Sequence, residues 1–299
     1  MVTIQYILNQ WHEQLAVMGG TTIHLLNGLA LVAVIFLPLE WLFSLRSKQI
    51  LRRGFIRDLC YYFLNNLLPG MLVLVPMTLI VWMLHSFIPR GLHQWAAGLS
   101  LWSRYLASLI VAEIGTYWGH RLMHEIPYLW RFHAVHHSAE EMDWLVNTKA
   151  HPLDFVFTRA CGFLPLYVLG LAQPLADHVD SVPFFVTLFT SLWGYFIHSN
   201  VRWRFGWIEW LITTPAFHHW HHTNDGPKVI NKNYSALFPW VDKLFGSLYL
   251  PASHPEKYGI DEPMPENLAR QLIHPFMTKP SHRSTYSPKQ AEEELNSLS

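Results

Sequence analysis

Residues 216–222 read AFHHWHH and place His218, His219, His221 and His222 within five positions. Imidazole can enter an apolar interior uncharged and still ligate a metal or move a proton near neutral pH. Of 19 histidines, twelve fall between residues 120 and 222. HRLMH puts His120 and His124 four apart, on one face of a helix. HAVHH supplies His133, His136 and His137, and HHWHH repeats that HxxHH spacing as His218, His221 and His222, with His219 in a spacer position. Lone His151 in AHPLD and His198 in FIHSN lie between the groups. On a helix, HxxHH turns its first and second rings, or its first and third, to one side. Adjacent rings such as those of His136 and His137 point about 100° apart, which suits two ions better than one. Eight or more imidazoles also exceed the four positions of a tetrahedral zinc site, so the pattern predicts a two-metal centre. Ligand softness leaves iron, zinc, copper and nickel open at this point. The cluster is internal, which excludes an affinity tag. Unpatterned His24, His85, His93 and His178 read as hydrogen-bonded core residues.

The elements that must position these rings are apolar. Hydrophobic residues make up 51% of the 299, aromatics 15% and charged residues 14%, and so low a charge content points to a membrane protein. A spanning helix needs about 20 mostly apolar residues. Residues 22–39 qualify, 59–89 carry no Asp, Glu, Lys or Arg and give one long span or one broken at Pro69 and Pro76, and 105–119 make a third. Two shorter segments, 161–176 and 182–197, flank DHVDS as a hairpin that crosses or dips. The expected fold is an all-α, polytopic membrane bundle of about four or five hydrophobic segments with a histidine-rich di-metal cap. Residues 46–57 hold Arg46, Lys48, Arg52, Arg53 and Arg57, whereas 1–21 and 172–181 hold no Lys or Arg and 88–100 only Arg90. The positive-inside rule then places 46–57, the histidine groups and the C-terminus on the cytoplasmic side, of a bacterial inner membrane or an endoplasmic reticulum. The N-terminus lacks the basic-then-apolar pattern of a signal peptide. After Val201 the chain turns polar, and its last twenty residues read as a solvated tail. Zero net charge gives no electrostatic case for nucleic acid. Cys60 and Cys161 form no CxxC pair and read as buried apolar residues. No Gly-rich nucleotide fingerprint occurs, so any redox nucleotide acts through a partner.

HRLMHEIPYLWRFHAVHHS, then HHWHHTND and KNYSALFPWVDKLFGSLYLP, resemble the sterol desaturase and fatty acid hydroxylase superfamily of membrane di-iron oxygenases. The likeness covers about residues 100–260, and the short gap between the first two boxes separates it from the acyl desaturases. It implies 1–100 as N-terminal membrane helices, 101–260 as the catalytic domain and 261–299 as a polar tail. It implies as ligands His120, His124, His133, His136, His137, His198, His218, His221 and His222. Some relatives carry a further histidine one turn before the position of His198; Gly194 stands there, and His151 is the candidate tenth ligand. The implied centre is two irons, with zinc able to replace them in purified protein. The implied reaction uses dioxygen and external electrons to hydroxylate or desaturate a C–H bond of a sterol, fatty acyl or ether lipid. A small cytochrome, ferredoxin or reductase would supply the electrons. The alternatives are a non-catalytic histidine-rich metal-binding or transport protein and a zinc-dependent membrane hydrolase. A transporter needs ligands through to the outer face, where only unpatterned His12, His93 and His178 fall; a hydrolase site leaves most of the histidines unused.

Supporting residues can be named too. Asp154 and Asp225, each three positions after a histidine, are candidates to orient ligand rings. Glu113, Thr116, Tyr117, His120 and His124 form one polar stripe that lines the site or faces neighbouring helices. Trp118, Trp130, Trp144, Trp203, Trp207 and Trp210 read as an interfacial belt, Trp220 as packing for the third box, and Asn200, Asn233 and Tyr234 as structural.

Overall fold

The computed structural model describes residues 4–47, 52–85, 87–172 and 181–281. The loop tip with His178, Lys48 and the end of the tail lie outside the described residues. Among those described, the chain is helical with two isolated bridges and no strand. Helices α1 (Ile4–Phe43) and α2 (Phe55–His85) come first, then the short α3 (Arg90–Ala97). α4 (Leu101–Glu125), α5 (Pro127–His137), α6 (Pro152–Val168) and α7 (Ser181–His198) follow. Three short helices complete it: α8 (Pro215–His221), α9 (Pro239–Phe245) and α10 (Leu268–Met277).

Local chemistry explains most of these boundaries. Proline opens α5, α6, α8 and α9, where its missing N–H costs nothing. Thr214 caps α8 by accepting from the Phe217 N–H, and Ser100 caps α4 by accepting from Ser103. α2 is unbroken at Pro69 and Pro76. The segment expected over 161–176 starts earlier, at Pro152, and ends at Val168, because Gly170 (φ 73°) turns the chain away. Part of the expected polar tail is also structured. α10 docks with Gln271 buried and accepting from the Tyr61 hydroxyl at 3.1 Å.

The segment Thr22–Phe43 of α1 is, among the described residues, the one helix long and apolar enough to cross a membrane. Ile23, Leu31, Val34 and Trp41 on it are each more than half exposed. α4 and α6 make the central seam and approach closely through glycine. A Cβ on Gly119 would sit 2.8 Å from Cys161 Cβ, and one on Gly162 would sit 2.6 Å from Thr116 Oγ1. Leu109, Ala112, Leu166, Val182, Val186 and Leu237 form one buried core around this seam. Val32, Phe36, Tyr62, Trp144, Leu145 and Tyr195 form another between α1, α2 and α7. Glu40, buried near the end of α1, accepts from the backbone N–H of Trp144 (2.8 Å) and of Asn200 (2.9 Å), which pins both loops that flank the histidines. Asn200 holds Arg46 by two further backbone bonds.

Candidate metal centre

The carboxyl ends of four helices converge on one place. His124 lies in the last turn of α4, His136 and His137 in that of α5, His198 ends α7, and His218 and His221 lie in α8 with His222 as its C-cap. Helix carboxyl ends carry partial negative charge, which favours a cation between them.

Two groups of rings result. His120, His124, His133, His137 and His221 form one, and His136, His198, His218 and His222 the other; within each, the ligand atoms lie within 4.8 Å of one another. Adjacent residues separate: His136 from His137, and His221 from His222. The groups share a wall, with the His137 and His222 rings stacked at a centroid distance of 4.4 Å.

The hydrogen bonds fix the tautomers, because a carbonyl can only accept. Nδ1 of His120 donates to Tyr234 O (2.7 Å), His136 to Lys149 O (2.9 Å), His198 to Gly194 O (2.7 Å) and His221 to Lys232 O (2.9 Å). His133 Nδ1 donates to Asp154 Oδ2 at 2.8 Å. In each neutral ring the other nitrogen, Nε2, is then a bare acceptor. Yet Nε2 of His120 faces Nε2 of His133 at 3.0 Å, and Nε2 of His198 faces Nε2 of His136 at 3.2 Å. Two lone pairs that close repel each other unless a cation sits between them. Two nitrogens bound to one tetrahedral ion at about 2.1 Å lie roughly 3.4 Å apart, close to these spacings. In addition, Nδ1 of His218 and of His222 is buried with no hydrogen-bond partner among the described residues. The donor set fits two metal ions. Burial, reinforced by neighbouring rings, holds His136, His218 and His222 well below the ordinary imidazole value, so they stay neutral and able to ligate.

Residues 105–247, which contain all nine rings, match the fatty acid hydroxylase family. Just under half of the chain is thus similar to fatty acid hydroxylases. It is 34% identical to an ornithine lipid hydroxylase of Rhizobium tropici over 192 residues, 62% of this chain and 54% of that protein. It is 32% identical to an alkylglycerol monooxygenase of Danio rerio over 55% of this chain and 34% of that protein. A Delta(7)-sterol 5(6)-desaturase of Gibberella zeae is 28% identical over 46% of this chain and 39% of that protein. The chain thus spans about half of the first relative and about a third of the others. No solved structure matches.

Within the matched region, nine of the ten histidines expected as ligands come together and His151 does not. Its Nδ1 accepts from the Leu153 N–H as the N-cap of α6, and its Nε2 donates to Leu272 O at 3.1 Å, so both nitrogens are spent on structure. Asp154 orients a ring; Asp225 does not, and accepts from the backbone N–H groups of Glu256 and Lys257. His219 is buried behind the site, donating to Ser199 O and accepting from the Tyr258 hydroxyl, and burial pushes it down to about 3. Glu113, in the polar stripe, accepts from the backbone N–H of Leu237 and Phe238 and so anchors the loop that presents Tyr234. Trp130 and Trp144 are buried, not interfacial. Trp130 packs on the rings of His124 and His137 at 5.2 and 5.5 Å.

Sequence reasoning passed over Lys149 and Lys232 and named Gly194 only as a missing ligand and Tyr234 only as structural, because it is their carbonyls that act and every residue type has one. Asn231 and Asn233 were more legible. Both adopt left-handed backbone (φ 57° and 59°), which Asn tolerates best after Gly, and they flank the Lys232 carbonyl.

Proposed function

We propose that the chain is a multi-pass membrane di-iron oxygenase that uses dioxygen and external electrons to hydroxylate or desaturate a lipid C–H bond. The observation that carries this reading is the set of bare Nε2 atoms facing each other at 3.0–3.2 Å. Only a bound cation makes that arrangement stable, and two clusters call for two. The relatives supply the chemistry, since their names span lipid hydroxylation, ether-lipid monooxygenation and sterol desaturation. His120, His124, His133, His137 and His221 would hold one iron and His136, His198, His218 and His222 the other. The pair would supply reductive activation of dioxygen when bound. The chain's own part is to keep nine imidazoles neutral, fix their tautomers through carbonyls and Asp154, and exclude water with a lining that is buried almost throughout. Exposed apolar side chains on α1, α4 (Leu106, Ile110) and α7 (Phe184, Phe185, Leu188) support a bilayer environment and several crossings, with the histidines on its cytoplasmic side. A small cytochrome, ferredoxin or reductase would deliver the electrons.

The test is metal content and Mössbauer spectroscopy on detergent-purified protein from iron-labelled medium, followed by lipid turnover with a reductase. About two irons per chain and oxygen-dependent lipid oxidation are expected, with both lost in His136→Ala. Protein that takes up no iron on anaerobic reconstitution overturns the reading.

A further inference from the structure

Below the histidines lie two cavities, of about 140 and 190 Å³, that share Arg159, Thr190 and Ser191 in their walls. Arg159 sits in the middle of α6, inside the helical bundle. Its guanidinium lies over the Phe155 ring at 5.3 Å and feels the Tyr195 side chain, but among the described residues no carboxylate lies within ion-pair distance. Glu113 lines the first cavity, but its carboxylate is taken up by the backbone N–H groups of Leu237 and Phe238. A guanidinium among apolar helices is costly without a counter-charge, and such residues mark substrate paths. The second cavity adds a further unmet group. Asn65 is 3% exposed, its Nδ2 donates to Thr148 O and Ala150 O, and its Oδ1 has no partner among the described residues. Asn147 reaches the same cavity because Gly194 leaves it room; a Cβ there would sit 2.5 Å from Asn147 Oδ1.

The cavities lie close under the metal centre. At 1.5 Å per residue, Arg159 is about 7.5 Å along α6 from Asp154, Ser191 about 10 Å along α7 from His198, and Thr116 about 6 Å along α4 from His120. We infer that Arg159 and the polar groups around it bind the anionic head of the lipid substrate, one that carries a phosphate or carboxylate for Arg159 and a separate N–H or O–H donor for Asn65 Oδ1. This rests on the oxygenase reading for the lipid and adds the chemistry of its head. Guanidinium forks match carboxylate and phosphate oxygens two at a time, which a lysine cannot reproduce.

Binding can be read without dioxygen or reductant, on the full chain in a neutral maltoside detergent. Isothermal titration would use dodecyl phosphate, dodecan-1-ol and inorganic phosphate as separate probes. Saturable binding of dodecyl phosphate is expected, with dodecan-1-ol and inorganic phosphate at least about tenfold weaker. Arg159→Gln should lose about tenfold or more in affinity for dodecyl phosphate and Arg159→Lys less. Ser191→Leu, which fills the shared wall and keeps the cation, should also block binding. Iron content and the melting midpoint without probe establish that each variant is folded. Unchanged affinity in Arg159→Gln, or dodecan-1-ol binding as tightly as dodecyl phosphate, overturns the inference. Equal binding of inorganic phosphate overturns the lipid assignment and leaves a site for free anions. Arg159-dependent binding in protein that takes up no iron upholds the site and defeats only the oxygenase reading.

Discussion

At the scale of single residues, the centre depends on what holds the far nitrogen of each ring. Asp154 accepts from His133 Nδ1, and that bond sets both tautomer and ring angle. Asp154→Asn keeps an acceptor but removes the charge that makes the ring more basic. Metal affinity should fall by roughly 10- to 100-fold, measured by chelator competition, with the chain still folded. His151 gives the contrasting outcome. His151→Ala should leave metal stoichiometry at the wild-type value and lower stability by about 1 kcal/mol, the usual worth of an N-cap, read as a drop in melting midpoint. Loss of metal in that variant would place His151 in the centre after all. Spacing grouped eight of the nine rings, and the family resemblance added lone His198. The sequence could not separate His151, because a capping histidine and a ligating one look alike until the helix start is known.

At the scale of elements, the α4–α6 seam sets the depth of everything else. α4 carries His120 and His124, and α6 carries Asp154 and Arg159, so their separation governs both the metal centre and the cavities. Gly162 lets them touch. Gly162→Ala should cost about 1–3 kcal/mol through overpacking against Thr116. Thr116→Ala in the same chain should recover most of that in a double-mutant cycle by thermal melting; strict additivity would show that the seam is loose. Hydrophobic runs announced these helices, but their ends were misplaced wherever a turn set them. α6 begins at Pro152, nine residues before the apolar segment expected from 161, because His151 and Pro152 form a start signal stronger than hydropathy. α10 was hidden for the opposite reason, because the residues it buries are Gln271 and Pro275 while its apolar Ile273, Phe276 and Met277 stay exposed.

At the scale of the molecule, four helix ends and the loop at 231–234 are tied through nine rings, so metal and fold are linked. Without metal the rings are buried bases in contact with one another. Burial holds His219 at about 3 and His136, His218 and His222 well below ordinary imidazole. Below about pH 6.5 the unfolded chain takes up protons on these residues while the folded chain does not. Acid therefore favours unfolding, and stability rises with pH up to about 6.5 and then levels off. The melting midpoint of metal-free protein should fall between pH 7.5 and 5.5; a flat profile would mean that the rings are solvated. Metal binds the folded chain alone and should raise the midpoint in proportion to its affinity. Chelation should in turn speed hydrogen exchange at α8 and residues 230–234, because α8 and its C-cap carry three of the rings and the Lys232 and Tyr234 carbonyls accept from two of them.

The division of neighbouring histidines between the two clusters has a mechanical result. His136 and His137 leave one rigid helix for different clusters, and so do His221 and His222 beside them. Turning either helix about its axis loosens one cage as it tightens the other. Ions held in both would therefore be weighed against each other, as on the pans of a balance, and a pair of unequal radius would tip both helices at once.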